Sequence, residues 1–140
     1  FATERLIAPR EGGNQCFNCH SFHQHDPSRF FFHVRGRHAG TVLMAGGKVT
    51  KVDLLVEPLY RPMSYAAWHP DGRHIVGSIN QYAGFFTSAE RLYYSHTVDT
   101  RGDLVVYDIE RNELSTAPAV FGPEYVEARA AFAADGRTIY

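Results

Sequence analysis

The stretch YAAWHPDGRHIVGSI, residues 65–79, decides how this chain is read. It runs two small residues, an aromatic, two further residues, Asp-Gly-Arg and then a β-branched run. Asp-Gly is a turn signal, and the apolar run behind it is a strand signal. The same order returns in RAAFAADGRTIY, residues 129–140. A degenerate copy is CHSFHQHDPSRFFFHV, residues 19–34, with Phe22 in the aromatic place and Asp26 to Arg29 as the turn. Phe22, Trp68 and Phe132 follow one another at intervals of 46 and 64 residues. A four-stranded propeller blade repeats about every 40–45 residues. The first interval matches one blade, and the second matches a blade carrying an insertion.

Working outward from these copies, short β-rich runs fill the chain and helical periodicity is nearly absent. The runs are 29–34, 41–44, 48–56, 74–79, 103–109 and 137–140, separated by Gly46-Gly47, Pro70-Asp71-Gly72, Asp108 to Asn112 and Asp135-Gly136. This spacing predicts an all-β antiparallel domain. The fold expected is a partial β-propeller of about two and a half four-stranded blades, belonging to a larger ring; a β-sandwich of ordinary hairpins is the plainer alternative. The first blade has strands ending at Phe22 and then at 29–34, 40–45 and 48–54. The second has strands near 64–68, 73–79, 103–109 and 113–116. A third begins at 128–132. Residues 80–102 form a long insertion loop, rich in Tyr82, Phe85, Phe86, Tyr93 and Tyr94. A short helix over 124–131 is allowed by propensity but is too brief to stand alone. Phe22, Trp68 and Phe132 are expected in blade cores, and His69 and His74, flanking the turn, are expected to face solvent.

Hydrophobic residues make up 44% and charged residues 21% of the 140, a globular rather than a disordered composition. The net charge of -1 gives no basic excess to suggest nucleic acid, and no apolar run approaches a membrane span. The chain opens on Phe1 and stops in what reads as the middle of a strand, so 1–140 is expected to be a fragment of one longer propeller domain. A propeller needs about 4–8 blades to close, so the remaining blades of the same longer chain are its first expected partners.

Both cysteines fall in CFNCH, residues 16–20. Three chemistries compete there. Cys-x-x-Cys-His is the c-type haem attachment pattern: two thioethers reach two vinyl groups on one edge of the macrocycle, and the next residue offers its imidazole to the iron. A redox disulfide is the second, but its thioredoxin-like form needs a βαβ context that the strand pattern lacks. Half of a zinc site is the third; zinc wants four ligands, and His23 and His25 would crowd them into ten residues. If haem is bound, Cys16, Cys19 and His20 hold it, and the second axial position has candidates in His38, His33, Met63 and His96. A methionine there raises the potential, a histidine lowers it, and an open site admits small molecules. Arg35 and Arg37 are candidates to pair with the haem propionates, since guanidinium matches planar carboxylates. No hydrolase, phosphate-loop or EF-hand pattern occurs.

The aromatic-x-x-Asp-Gly-Arg unit with its following β-run resembles the TolB-like propeller repeat over residues 16–140. The order of Cys16 to Phe22, then Arg35 to Thr41, Ala67 to Gly72 and Asp103 to Asp108 is similar to a family of exported bacterial c-type cytochromes with one haem in such a propeller. The resemblance implies one covalent haem c, electron transfer to other redox proteins or cytochromes, and a periplasmic or extracellular location. It makes the chain an electron carrier more than a catalyst. A haem enzyme acting on peroxide or a nitrogen oxide remains an alternative. So does a propeller scaffold that binds protein or glycan, with the cysteines as a disulfide or zinc site.

Overall fold

The computed structural model describes residues 16–35, 40–52, 63–89 and 92–140; the side chains at 16–18, 35, 82, 85–89 and 92–97 lie outside that description. The described residues build two four-stranded antiparallel meanders. The first is β1 (Cys16–Phe22), β2 (Phe30–Arg35), β3 (Gly40–Ala45) and β4 (Lys48–Val52), paired in that order. The second is β5 (Ser64–Trp68), β6 (His74–Ala89), β7 (Leu92–Asp108) and β8 (Glu113–Ser115). The all-β expectation holds, and the strand bounds agree with the turn signals to within about two residues in the first sheet.

A third unit starts beyond them. Phe132 bridges Ile139, and Ala131 and Tyr140 exchange both backbone hydrogen bonds around the Asp135-Gly136 turn. Residues 124–131 form no helix; this segment passes Gly102, which it meets through a parallel bridge at Val126.

Residues 80–102 correct the expected insertion loop. They extend β6 and β7 as one long hairpin, paired from Asn80 opposite Gly102 out to Ala89 opposite Leu92, with a slip between Gln81 and Tyr82. Backbone pairing continues beyond the body of the sheet.

The two sheets share one core. Phe31, Leu43 and Val52 from the first pack with Met63, Ile75, Ile79, Val105 and Tyr107 from the second. Phe31 is fully buried, and its ring lies 5.5 Å from that of Trp68. The first strands of the two sheets, β1 and β5, are neighbours. The Trp68 indole N–H, on β5, donates to the Ser21 carbonyl of β1 at 3.1 Å.

One arrangement recurs at each seam. The His23 ring packs on Trp68 at 5.3 Å, and its Nε2–H donates to the Pro70 carbonyl at 3.2 Å. The His69 ring packs on Phe132 at 4.5 Å, and its Nε2–H donates to the Gly136 carbonyl at 2.9 Å. Each histidine directly follows its own unit's aromatic and reaches the aromatic and turn of the next unit. Gly72 (φ +67°) and Gly136 (φ +71°) answer two demands at once: a left-handed turn and an imidazole where a Cβ would sit. His69 is therefore packed, in contrast to the solvent exposure expected beside the turn.

The three units also share a defect. Cys19, Tyr65 and Arg129 have φ of +53°, +48° and +61°, and each stands three residues before its unit's aromatic. In β1 and β5 this coincides with a register slip, between Asn18 and Ser21 and between Ser64 and Ala67. Such a bulge sets two residues against one and sharpens the local twist. The three segments thus share a left-handed residue at the same place before their aromatic.

The turns are closed by carboxylates. Asp26, Asp71 and Asp135 each accept the N–H two residues on, at 2.7–2.9 Å. Burial pushes the Asp71 carboxyl up, but the Arg73 and His74 N–H groups and the His74 imidazole outweigh it and hold the group far below the usual carboxylate range. The Arg73 guanidinium, with the Glu110 and Arg111 N–H groups, holds Asp108 equally low against the effect of burial. The unfolded reference is about 3.9, so both groups stabilise the fold fully above that value, and the contribution is lost as pH falls through the folded range. Asp108→Asn should therefore melt below wild type at pH 7, and the gap should close steadily below about pH 4. Thermal melts across the acid range check this, and a gap that stays constant would contradict it.

Candidate functional site

The CFNCH window occupies β1. Its first residues pair regularly with β2: Cys16 opposite Arg35, Phe17 opposite Val34 and Asn18 opposite His33. The left-handed turn at Cys19 then breaks the ladder, and pairing resumes at Ser21 opposite Phe31. Cys19 and His20 thus stand together opposite Phe32. Cys19 is a free, half-buried thiol and His20 is exposed.

Ring contacts fix which face His20 occupies. Its imidazole lies 6.0 Å from Phe22, Phe22 lies 5.2 Å from Phe30, and Phe30 lies 6.2 Å from Phe32. These four rings form a strip on one face of the first sheet. Side chains alternate along a strand, so Phe31 and His33, 5.7 Å apart, occupy the other face, toward the second sheet.

Comparison with the other units isolates what is special here. The positions level with His20 are Ala66, packed against the shared core, and Ala130, 5% exposed. A small residue suits a seam between sheets. The first unit instead carries an imidazole, and on the same face Phe22 is 45% exposed, whereas its counterpart Trp68 packs on Phe31. The residues level with Cys19 also differ: the Arg129 guanidinium sits 4.7 Å from the centre of the Tyr65 ring, a cation–π contact that ties the second and third units at this level.

The other residues expected at the site divide sharply. His33 is 2% exposed, with Nδ1 2.8 Å from the Thr41 hydroxyl, and the sheet separates it from His20. Met63 is 1% exposed in the shared core and lies against Gly77, with no space for even a Cβ at that glycine. Both side chains are buried, whereas His20 is exposed. The His96 backbone pairs with Phe85 in the long hairpin, and its side chain is outside the described set. Arg37 and His38, like the Arg35 side chain, also lie outside the described residues. Asp108 closes a turn, accepting the Glu110 N–H at 2.9 Å, while buried Asp103, within β7, accepts the distant Gly122 N–H at 2.8 Å.

No protein-family model, curated protein or solved structure matches this chain. Among the described residues no helix is long and apolar enough to cross a membrane.

The donor set in β1 fits a c-type haem. Two thiols and an imidazole within five residues are what two thioether bonds and one axial bond require. Three fully extended steps span about 10 Å, and drawing both sulfurs to one macrocycle edge needs a shorter window. Cys19 supplies the left-handed bend inside it, and the His20 face is open beside Phe22.

Proposed function

We propose that this chain is a haem c-bearing electron-transfer module of an exported redox system, carried on a TolB-like β-propeller of which the two sheets are successive blades. The observation that carries the reading is His20. It is an exposed imidazole beside a free thiol, at a repeat position where the other two units keep a small residue. The propeller reading draws support from the two consecutive meanders, their adjacent first strands and the seam contacts that recur from unit to unit.

Cys16 and Cys19 would hold the macrocycle through thioethers, and His20 would ligate the iron. When bound, the haem supplies a one-electron redox centre. The chain's own residues set its surroundings. Phe22 walls the site beside His20, and the Phe30–Phe32 strip lowers the local polarity. With His33 and Met63 buried, His38 and His96 keep the role of distal candidates in this proposal, and Arg35 and Arg37 that of propionate partners. Thioether attachment of this kind belongs to the oxidising side of a bacterial membrane, so the module would work in the periplasm or outside the cell, with another redox protein as partner.

The test is an absorbance spectrum of protein exported in a host with c-type maturation machinery. A sharp reduced α-band that stays with the polypeptide through acid-acetone extraction is the expected result. A colourless protein overturns the proposal.

A further inference from the structure

We propose that the HPDGRH turn, residues 69–74, binds a divalent transition-metal ion of the zinc class through His69 Nδ1, the Asp71 carboxylate and His74 Nδ1. This site lies between β5 and β6 and is independent of the cysteines, so it stands or falls apart from the haem reading.

The three ligand atoms already converge, all within 4.8 Å of one another. His69 Nδ1 is 2.9 Å from one Asp71 oxygen and His74 Nδ1 is 2.8 Å from the other. The far nitrogen of the His69 ring provides a second, independent indication. His69 Nε2 faces the Gly136 carbonyl at 2.9 Å, which can only accept, so that nitrogen carries the proton. The His69 lone pair is then on Nδ1, aimed into the cluster, where the Asp71 N–H now meets it at 3.0 Å. His74 Nε2 is 3.6 Å from Asp108, beyond hydrogen-bond reach. A carbonyl behind the far nitrogen, as at His69, is how metal-bound histidines are oriented and made more basic.

Both guanidiniums beside the turn are engaged. Arg73 is turned onto Asp108 at 2.7 Å and Glu110 at 2.9 Å, and Arg29 donates to the Gly72 carbonyl. The side chains of His69, Asp71 and His74 remain 20%, 38% and 32% exposed, which leaves a solvent side where water completes the shell. Two imidazoles and a carboxylate suit zinc, copper or nickel better than calcium or magnesium. His69 also joins the second unit to the third, so a metal here clamps that joint.

The experiment titrates EDTA-stripped, full-length chain with Zn²⁺ by calorimetry and follows its thermal melt. One equivalent bound and a raised midpoint are expected, because the ion binds only the folded turn. His74→Gln should weaken binding by about tenfold or more, while a Cys16→Ser, Cys19→Ser background should keep it. Co²⁺ serves as a variant-free check: ligand-field bands without a thiolate charge-transfer band are expected. Absence of Zn²⁺ binding, equal affinity in His74→Gln, loss of binding with the cysteines or a thiolate band would each overturn the proposal.

Discussion

Phe31→Ala should destabilise the chain by about 3–5 kcal/mol, the usual cost of emptying a fully buried phenylalanine site. The size follows from position. Phe31 is 0% exposed and belongs to the first sheet, yet its ring meets Trp68 of the second and His33 of its own strand. The cavity left behind would sit in the seam, lined by strand backbones whose ladders resist collapse. Chemical denaturation of wild type and variant measures the effect. Phe22→Ala is the control: Phe22 is 45% exposed, so a change within about 0.5 kcal/mol is expected. If the two substitutions cost the same, the sheets do not pack through Phe31.

The second large effect concerns the window at 16–20. A Cys16→Ala, Cys19→Ala double variant should retain no covalent haem, because both thioether bonds lose their sulfur. Denaturing gels stained for haem peroxidase activity measure this. His20→Ala should give the complementary result: haem still attached, but with a shifted Soret band and an altered potential, since the axial ligand tunes the iron. A double variant that still carries haem through denaturation would remove the thioether assignment. A His20→Ala protein with an unchanged spectrum would remove the iron ligand.

The strands were legible because their signals are local. Gly46-Gly47 and Asp71-Gly72 mark turns by their own chemistry, and the runs between them are β-branched and aromatic. The 80–102 segment was not legible as strand, because NQYAGFFTSAE carries no turn marker and exceeds the length at which a run reads as one strand. The cysteine-histidine window declared itself by spacing. Its bend did not, since Cys19, Tyr65 and Arg129 share a left-handed backbone without sharing a residue type. His33 and Met63 are buried by packing across the seam, which spacing along the chain does not show. His69 read as a solvent residue for a related reason: its acceptor, Gly136, is 67 positions away.

The seam histidines give the assembly a polarity. Like hooks and eyes, the first sheet offers the His23 imidazole forward, and the second takes it at its turn and offers His69 in the same direction. The third unit takes the hook of His69 but has Ala133 where its own would be. Loosening His23 or His69 should therefore open a single junction and leave the other fastened, while the third unit, with Ala133, carries no such hook of its own.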